Sequence, residues 1–171
     1  MENPVFKRHS VRDFLPKPVE KEKLQRILRA GMEAPSAHNR RPWEFIVVTD
    51  AAERAAIAEM SPYAKMLPHA AAAVIVCANL SLGEKENAED TYWVQDCSAA
   101  TENILIQITA EDLGGVWLGW YPDTKRVGAL SARLGLPSHI IPFSVIALGY
   151  PVQKAKEHNR YDEKLAHWEK W

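Results

Sequence analysis

Cysteine is scarce in this chain of 171 residues, which contains only Cys77 and Cys97. Two cysteines imply no disulfide framework. Cys77 lies inside an apolar run and is predicted to pack as a small hydrophobic side chain, and the same interpretation is open to Cys97 on a helix face. No pair of cysteine or histidine residues has a spacing typical of a zinc site, so we expect no metal centre.

Excess charge and long hydrophobic runs are also lacking. The 21 basic and 22 acidic residues leave a net charge of -1, which argues against a global attraction to nucleic acid or anionic lipid. The longest apolar run, residues 70–78, is too short to span a bilayer, and the polar N-terminus carries no apolar signal core. We therefore expect a cytoplasmic protein without a nucleic-acid or membrane partner.

Two nucleotide-binding motifs and a clear catalytic carboxylate pair are absent as well. No G-x-G-x-x-G motif follows a predicted strand and there is no P-loop, so a dinucleotide site of the doubly wound type is excluded. Asp90 and Asp96 lie near the start of a predicted long helix. Acidic residues there usually complement the helix dipole, and a paired-carboxylate site is the alternative.

The hydrophobic pattern predicts one α+β domain over residues 1–171. Apolar residues at helical spacing predict helices over residues 18–32, 51–60, 91–113 and 124–134, the second of them with a capping box formed by Asp50 and Glu53. Aromatic and β-branched runs predict strands at residues 43–49, 70–78, 116–120 and 142–149. Gly114 and Gly115 are predicted to end the longest helix as a C-cap, and residues 80–90 are predicted to form a loop.

The tail, residues 150–171, is charged but carries Tyr161, Leu165, Trp168 and Trp171. Leu165 and Trp168 are three residues apart and would share one face of a helix. A polar segment with apolar anchors indicates docking, either on the body of the same chain or on a neighbour.

The most informative chemistry lies in residues 8–14, with the sequence RHSVRDF. If this stretch is extended, Arg8, Ser10, Arg12 and Phe14 share one face, because strand side chains alternate. Guanidinium groups offer forked donors that suit phosphate and carbonyl oxygens, and a serine adds a rotatable donor. A solvated basic arm is the alternative.

Residues 34–45, with the sequence APSAHNRRPWEF, form a second unusual stretch that is predicted to be a loop opening into a strand. Together with residues 8–14, with GGVWLG after the long helix (residues 114–119), and with LGYP (residues 148–151) before a basic tail containing Arg160, it resembles the nitroreductase-like flavoproteins. The resemblance covers essentially the whole chain, with the four blocks in the expected order.

The resemblance implies an α+β sandwich with a central, mostly antiparallel sheet flanked by helices, built as an intertwined homodimer that binds flavin mononucleotide (FMN) at two interface sites. Residues 150–171 would dock on the partner subunit. Matching of the motifs implies that the following residues contact the cofactor: Arg8, His9, Ser10, Arg12, Pro35, Ser36, Ala37, Asn39, Val116, Trp117, Leu118, Gly119 and Arg160.

Within that set, the first four residues and Arg160 would hold the phosphate, the ribityl chain and the pyrimidine edge. The residues between Pro35 and Asn39 would come from the other subunit, and the residues between Val116 and Gly119 would lie along the ring. A cation such as Arg12 near the pyrimidine would stabilise the reduced flavin. Lys65 is either solvated or a further candidate for that edge.

The implied activity is an FMN-dependent NAD(P)H oxidoreductase that passes hydride from NADH or NADPH to a flat, electron-poor acceptor, such as a nitroaromatic or a quinone, in two half-reactions. No side chain needs to act as acid or base, so no catalytic residue is named. The rings of Tyr92, Trp93, Trp120 and Tyr121 either line the acceptor pocket or belong to the core. A dehalogenase-like or flavin-fragmenting enzyme, or a non-enzymatic flavin carrier or sensor, is the alternative.

Overall fold

The computed structural model describes residues 3–82, 91–153 and 156–171. These residues form a four-stranded sheet with strands β1 (Trp43–Val48), β2 (Ala72–Asn79), β3 (Gly114–Gly119) and β4 (Ile140–Gly149). The strand order is β1-β2-β4-β3 and each neighbouring pair is antiparallel. The α+β class and the predicted strands are therefore confirmed, although β3 and β4 begin two residues earlier than predicted.

The described residues also contain five α-helices: α1 (Pro4–Lys7), α2 (Lys21–Met32), α3 (Ala51–Ala58), α4 (Tyr92–Ala110) and α5 (Thr124–Leu134). The Asp50 carboxylate accepts the Glu53 backbone N–H (2.8 Å), as the capping spacing predicts. Asp123 caps α5 through the N–H groups of Lys125 and Arg126. Pro18 was predicted to lie in the first turn of α2, but that helix begins three residues later.

Helices cover both faces of the sheet. Residues 72–78 of β2 are all buried, and alternate residues enter different cores because strand side chains alternate. Ile75 packs in one core with residues of α3 and α5, and Val74 packs in the other with residues of α2 and α4. The molecule is thus a sandwich in which α4, the longest helix, crosses one face of the sheet.

The predicted glycine cap of α4 is wrong. The helix ends at Ala110, and Asp112 adopts the left-handed conformation (φ 59°), while the Leu113 N–H bonds back to the Ile108 carbonyl (3.0 Å). Gly114 and Gly115 instead open β3. A Cβ at Gly114 would lie 2.7 Å from the side chain of Val11, so this glycine lets the N-terminal segment pack on the strand.

That N-terminal segment, residues 8–14, lies against the outer edge of β3. Ser10 forms a parallel bridge with Gly115, and the Val11 N–H donates to the Gly115 carbonyl (3.0 Å). Phe14 is buried whereas Ser10 and Arg12 are exposed, so the predicted common face is wrong for Phe14. The reason is that Phe14 packs against Gly149 and bridges Pro151, which interrupts strict alternation.

Residues 156–171 form a largely irregular tail. A single 3-10 turn spans Glu163–Leu165, so Leu165 and Trp168 do not share a helix. Tyr161, Leu165, Trp168 and Trp171 are all exposed, Trp171 completely. Docking of these side chains on the chain's own body is therefore wrong, and docking on a neighbour stays a prediction.

The predicted loop at residues 80–90 begins with a 3-10 turn at Leu80–Leu82, and residues 83–90 lie outside the described residues. Among the described residues, no helix is both long enough and apolar enough to cross a membrane.

Candidate active site

A cavity of about 730 Å³ opens beside the outer edge of β3. Three segments line it: the N-terminal segment, the turn that follows α3, and the end of β3. Their lining residues are Arg12, Asp13, Pro62, Tyr63, Lys65, Met66, His69, Trp117, Leu118 and Gly119. This volume lies within the usual range for small-molecule sites. The structure thus brings together four of the residues predicted from the sequence, together with Lys65.

Arg12 reaches the cavity because its neighbours are anchored. Val11 and Phe14 are both buried in the core on the α3 and α5 side of the sheet, and the Leu15 N–H donates to the Tyr150 carbonyl (2.8 Å). The two residues between those anchors, Arg12 and Asp13, are exposed. The segment therefore presents a guanidinium group and a carboxylate at the cavity wall.

The end of β3 offers backbone rather than side chains. Val116 and Leu118 point into the core, so a contact from Val116 would have to be made by its main chain. The Gly115 carbonyl points outward to Val11. Since the backbone groups of strand residues alternate in direction with period two, those of Trp117 and Gly119 point to the same outer edge. A Cβ at Gly119 would meet nothing within 4 Å, so a ligand can approach this backbone closely.

The charge of the cavity is predominantly positive. Arg12 and Lys65 carry fixed positive charges, and Asp13 is the one carboxylate among the residues that line it. Tyr63 stands at the rim, where the Arg126 guanidinium lies 5.5 Å from its ring centroid. Arg126 itself is oriented by an ion pair with Asp123 (3.1 Å). The cavity therefore favours a ligand with an electron-rich or anionic edge.

The loop of residues 35–41 lies elsewhere, against α4. His38, Asn39 and Arg41 all adopt positive φ (52°, 55° and 52°), a conformation that costs free energy in residues other than glycine. Hydrogen bonds hold the loop in this form: the Ala37 N–H donates to the buried carboxylate of Asp96 (2.9 Å), the Arg41 N–H donates to Ser36 Oγ (2.9 Å), and Arg41 Nε donates to Asn39 Oδ1 (3.0 Å).

Asp96 was predicted to complement the dipole of the long helix, and this is wrong. The helix begins at Tyr92, so Asp96 lies beyond its first turn, and its side chain is buried and accepts the Ala37 N–H. Asp90 lies outside the described residues. Asp96 thus has a role that the sequence did not reveal: it holds the conformation of the loop of residues 35–41, which is predicted to contact the cofactor.

Arg8 and His9 lie away from the cavity. Arg8 Nε forms an ion pair with Glu102 of α4 (3.0 Å). His9 Nδ1 contacts the Lys7 carbonyl (3.0 Å), and its ring lies 6.0 Å from that of His158 in the tail. Arg160, also in the tail, is exposed. Within one chain, therefore, the predicted site residues form three separate groups: the cavity, the N-terminal residues beside α4 and the tail, and the loop of residues 35–41.

The aromatic residues divide between core and surface. Trp120 is only 1% exposed and its Nε1–H donates to the Arg126 carbonyl (2.8 Å). Trp120 therefore belongs to the core, and the alternative that it lines the acceptor pocket is wrong. Trp93 is half-buried and packs edge-on against Tyr121 (4.7 Å between centroids) and Phe143. Tyr92 is exposed at the start of α4. The Trp93 and Tyr121 rings therefore remain candidates for an acceptor pocket.

Three residues that line the cavity from the turn after α3 were not predicted from the sequence: Tyr63, Met66 and His69. The available signal was weak: the Ser61-Pro62 break shows only that α3 ends there. It does not show that the following turn folds back toward residues 12 and 13. No local motif marks these side chains, because their position depends on the packing of the whole sheet.

Comparison with known proteins agrees with this architecture. The model of the Nitroreductase family matches residues 5–67 and 59–150, and the chain belongs to that family. A protein of Archaeoglobus fulgidus, provisionally named NADH dehydrogenase/NAD(P)H nitroreductase, is 41% identical over 170 residues, which cover 98% of this chain and 96% of the relative.

Two solved structures extend the comparison. One, of a provisionally named NADH oxidase from Clostridium acetobutylicum, has a TM-score of 0.92 at 41% identity and covers 98% of this chain and 99% of its own. The other is a provisionally named nitroreductase from Desulfovibrio desulfuricans in complex with FMN. It has a TM-score of 0.83 at 26% identity, and the match covers 98% of this chain and 95% of that structure's chain.

Proposed function

We propose that this protein is an FMN-dependent NAD(P)H oxidoreductase that reduces flat, electron-poor acceptors such as nitroaromatics and quinones. The observation that carries the proposal is the cavity in which Arg12 and Lys65 face the open backbone edge of β3. A cationic wall beside the outward-facing backbone of β3 suits the pyrimidine edge of an isoalloxazine. The name of the Archaeoglobus relative and the FMN complex of the Desulfovibrio relative support the same activity.

The residues of the cavity fit the chemistry of the cofactor. Bound FMN supplies the two-electron chemistry, by which hydride from NADH or NADPH reaches the acceptor in two successive half-reactions. Arg12 and Lys65 line the cavity and would stabilise negative charge on the pyrimidine edge of a bound flavin. Trp117 and Gly119 line the same cavity, and their backbone N–H groups would be available to hydrogen-bond the ring. No side chain of the cavity needs to transfer a proton.

The phosphate of FMN is assigned to Arg8, His9 and Ser10, with Arg160 as a second clamp. In the single chain Arg8 pairs with Glu102, whose side chain is 45% exposed. An exposed ion pair contributes little stability, so a dianionic phosphate can replace the carboxylate as partner of Arg8. Glu102 then keeps Arg8 oriented before the cofactor arrives.

We further propose that the site is completed by a second copy of the chain. Pro35, Ser36, Ala37 and Asn39 lie outside the cavity of their own chain and are assigned to the cofactor of the partner subunit. The tail is assigned the remaining contacts, because its apolar side chains are exposed on the single chain. Both features favour an intertwined homodimer.

The direct test is an absorption spectrum of the purified protein, recorded before and after anaerobic addition of NADH and of NADPH. We expect a flavin spectrum that bleaches with at least one nucleotide and recovers when menadione or a nitrofuran is added. A yellow protein that neither nucleotide bleaches would contradict the reductase and favour a flavin carrier. A colourless protein that ignores added FMN would remove the proposal altogether.

The homodimer has its own test, which uses a variant that ends at residue 160. We expect deletion of residues 161–171 to weaken dimerisation in analytical ultracentrifugation and to release flavin. The matched control replaces only Lys164 and Lys170 with glutamine, which keeps the aromatic anchors. A truncated protein that stays a dimer would refute the tail contact, and a truncated monomer that keeps its flavin would refute the shared site.

A further inference from the structure

A second cleft, of about 530 Å³, adjoins the candidate active site. It lies between the proline-rich segment that follows Phe14 and the turn that precedes β2. Among the residues that line the two openings, only His69 is common to both. The second cleft is therefore a separate space, which the function proposed above does not use.

The deepest charged group of this cleft is Arg54 of α3, whose residue is only 6% exposed. Its Nη1 donates to the Thr49 carbonyl (2.6 Å) and its Nε donates to the Leu67 carbonyl (3.3 Å). Among the described residues, no enclosed side-chain nitrogen lacks a hydrogen-bond partner. Nη2, which has neither of these contacts, is therefore open to the cleft. One edge of a nearly buried guanidinium thus faces the opening.

The positive charge of Arg54 is poorly compensated. Burial lowers the pKa of this guanidinium, and the charge of Asp50 opposes that shift as the smaller effect. Asp50 caps α3 through the Glu53 N–H and does not line the cleft. Because a buried charge without a counter-ion is costly, an anion at the free edge of Arg54 would be strongly favoured.

Lys17 and His69 also line the cleft, and both can donate hydrogen bonds. The Lys17 ammonium lies 3.8 Å from the centroid of the Tyr150 ring, a cation–π contact that orients it. His69 can donate from a ring nitrogen. No carboxylate is among the described residues that line the cleft. Glu20 does not line the cleft; its carboxylate accepts the Tyr150 hydroxyl (2.7 and 2.9 Å), which lowers the pKa of Glu20, and the charge of Lys17 contributes to the same shift.

We propose that this cleft is a binding site for an oxyanion of the phosphate type. The open edge of Arg54 binds two of its oxygens, and Lys17 and His69 complete the shell. A guanidinium edge matches the spacing of oxygens in a phosphate or carboxylate group. The oxyanion is either free phosphate or a phosphate group of the nicotinamide nucleotide, and the experiment distinguishes the two. The proposal does not depend on the FMN assignment.

The test titrates inorganic phosphate into the purified full-length protein by isothermal calorimetry, with ionic strength held constant by chloride. We expect saturable binding of one phosphate per chain. Lys17→Gln and His69→Gln should each weaken it about two- to fivefold, as for exposed charge pairs. Lys21→Gln, which removes an exposed lysine outside the cleft, should leave it unchanged.

Arg54→Lys keeps the positive charge but loses the paired N–H donors of the guanidinium. We expect this variant to weaken phosphate binding about tenfold or more. Its circular dichroism spectrum controls for folding, and the two surface variants keep the test valid if this variant does not fold. Absence of saturable binding, or equal affinity in Lys17→Gln, His69→Gln and Lys21→Gln, would overturn the proposal.

Two further measurements, competition with NADPH and release of flavin, identify the source of the oxyanion. If phosphate competes with NADPH in wild-type protein and the Lys17→Gln variant relieves that competition, the cleft holds the nucleotide's phosphates. If phosphate binds without competing, the site takes the free anion. Release of flavin by phosphate, measured by absorbance after gel filtration, would show that phosphate displaces the cofactor, and the separate site would be refuted.

Discussion

Replacing Gly114 with alanine should detach the N-terminal segment from β3. The new Cβ would lie 2.7 Å from the Cβ, Cγ1 and Cγ2 atoms of Val11, closer than carbon atoms can approach. Val11 cannot rotate away easily, because its β-branched side chain is stiff and is buried. Its backbone N–H is also held by the Gly115 carbonyl (3.0 Å). The segment must therefore move as a unit.

The expected cost follows from overpacking in a closely packed core, which is about 1–3 kcal/mol. For a chain of this size, about 2 kcal/mol lowers the melting temperature by about 4–8 °C. Arg12 follows Val11 directly, so the same displacement should move its guanidinium and reduce flavin retention. Urea unfolding measures the first effect, and the flavin-to-protein absorbance ratio after gel filtration measures the second.

The matched control is Gly128→Ala. This glycine lies inside α5, where a Cβ would meet nothing within 4 Å, and alanine is favoured over glycine in helix interiors by about 1 kcal/mol. We expect unchanged or greater stability and unchanged flavin content. The reasoning would be refuted if Gly114→Ala unfolded within about 0.5 kcal/mol of the wild-type protein.

Three other predictions follow from single contacts. Arg12→Gln should lower the flavin midpoint potential by about 30–60 mV, because about 1.5–3 kcal/mol of stabilisation is lost from the reduced form alone; an unchanged potential in a dye-linked titration would remove Arg12 from the pyrimidine edge. Asp96→Ala should destabilise the protein by about 1–3 kcal/mol in urea, because the Ala37 N–H loses its acceptor. Asp96→Asn keeps an acceptor and should lose less; equal losses would mean that the hydrogen bond contributes nothing. Burial raises the pKa of the Cys97 thiol to about 12, so only about one thiol in 10⁴ is ionised at pH 8. Native protein should therefore resist a thiol reagent until denaturant is added, and labelling of folded protein at the rate of a free thiol would contradict this.

Most of the fold was predictable because its signals are local. The helical stripe between Val94 and Ile108 predicts α4 without reference to any other segment, and Asp50 and Asp123 each cap the helix that follows them. The run of apolar residues in β2 predicts a strand buried on both faces. Gly135 ends α5 at φ 63°, where glycine is favoured.

The exceptions are residues whose role depends on distant partners. Gly114 and Gly115 look like a helix cap in sequence, yet Asp112 makes the turn and Gly114 serves the packing of Val11, more than 100 positions away. Phe14 lies two residues after Arg12 and would share its face in a regular strand, but Phe14 is turned inward, where it packs against Gly149 and bridges Pro151. No window of local sequence contains these contacts, so no pattern could predict them.

For the candidate site, too, residues within sequence motifs were predicted, whereas residues whose position depends on distant packing were not. The family resemblance of the motifs around Arg12 and Gly119 predicted that both contact one cofactor. The structure brings both to one cavity, and their contact with FMN stays a prediction. Met66 and His69 were not predicted, because a turn between a helix and a strand carries no signature of the surface that it faces. Arg54 was missed for a different reason: a lone arginine in an amphipathic helix gives no sign that it is buried.

The strained loop of residues 35–41 is held by hydrogen bonds within one chain, which would favour tight cofactor binding if, as proposed, the loop completes the partner's site. Three left-handed residues cost about 1–3 kcal/mol each. A hydrogen bond from the loop to Asp96, and one within the loop to Ser36, compensate for part of that cost within one chain. The loop therefore holds its conformation within the single chain. If it completes the partner's site, little conformational entropy is lost on association. A flexible loop of the same residues would lose that entropy on each binding event and would hold the cofactor more weakly.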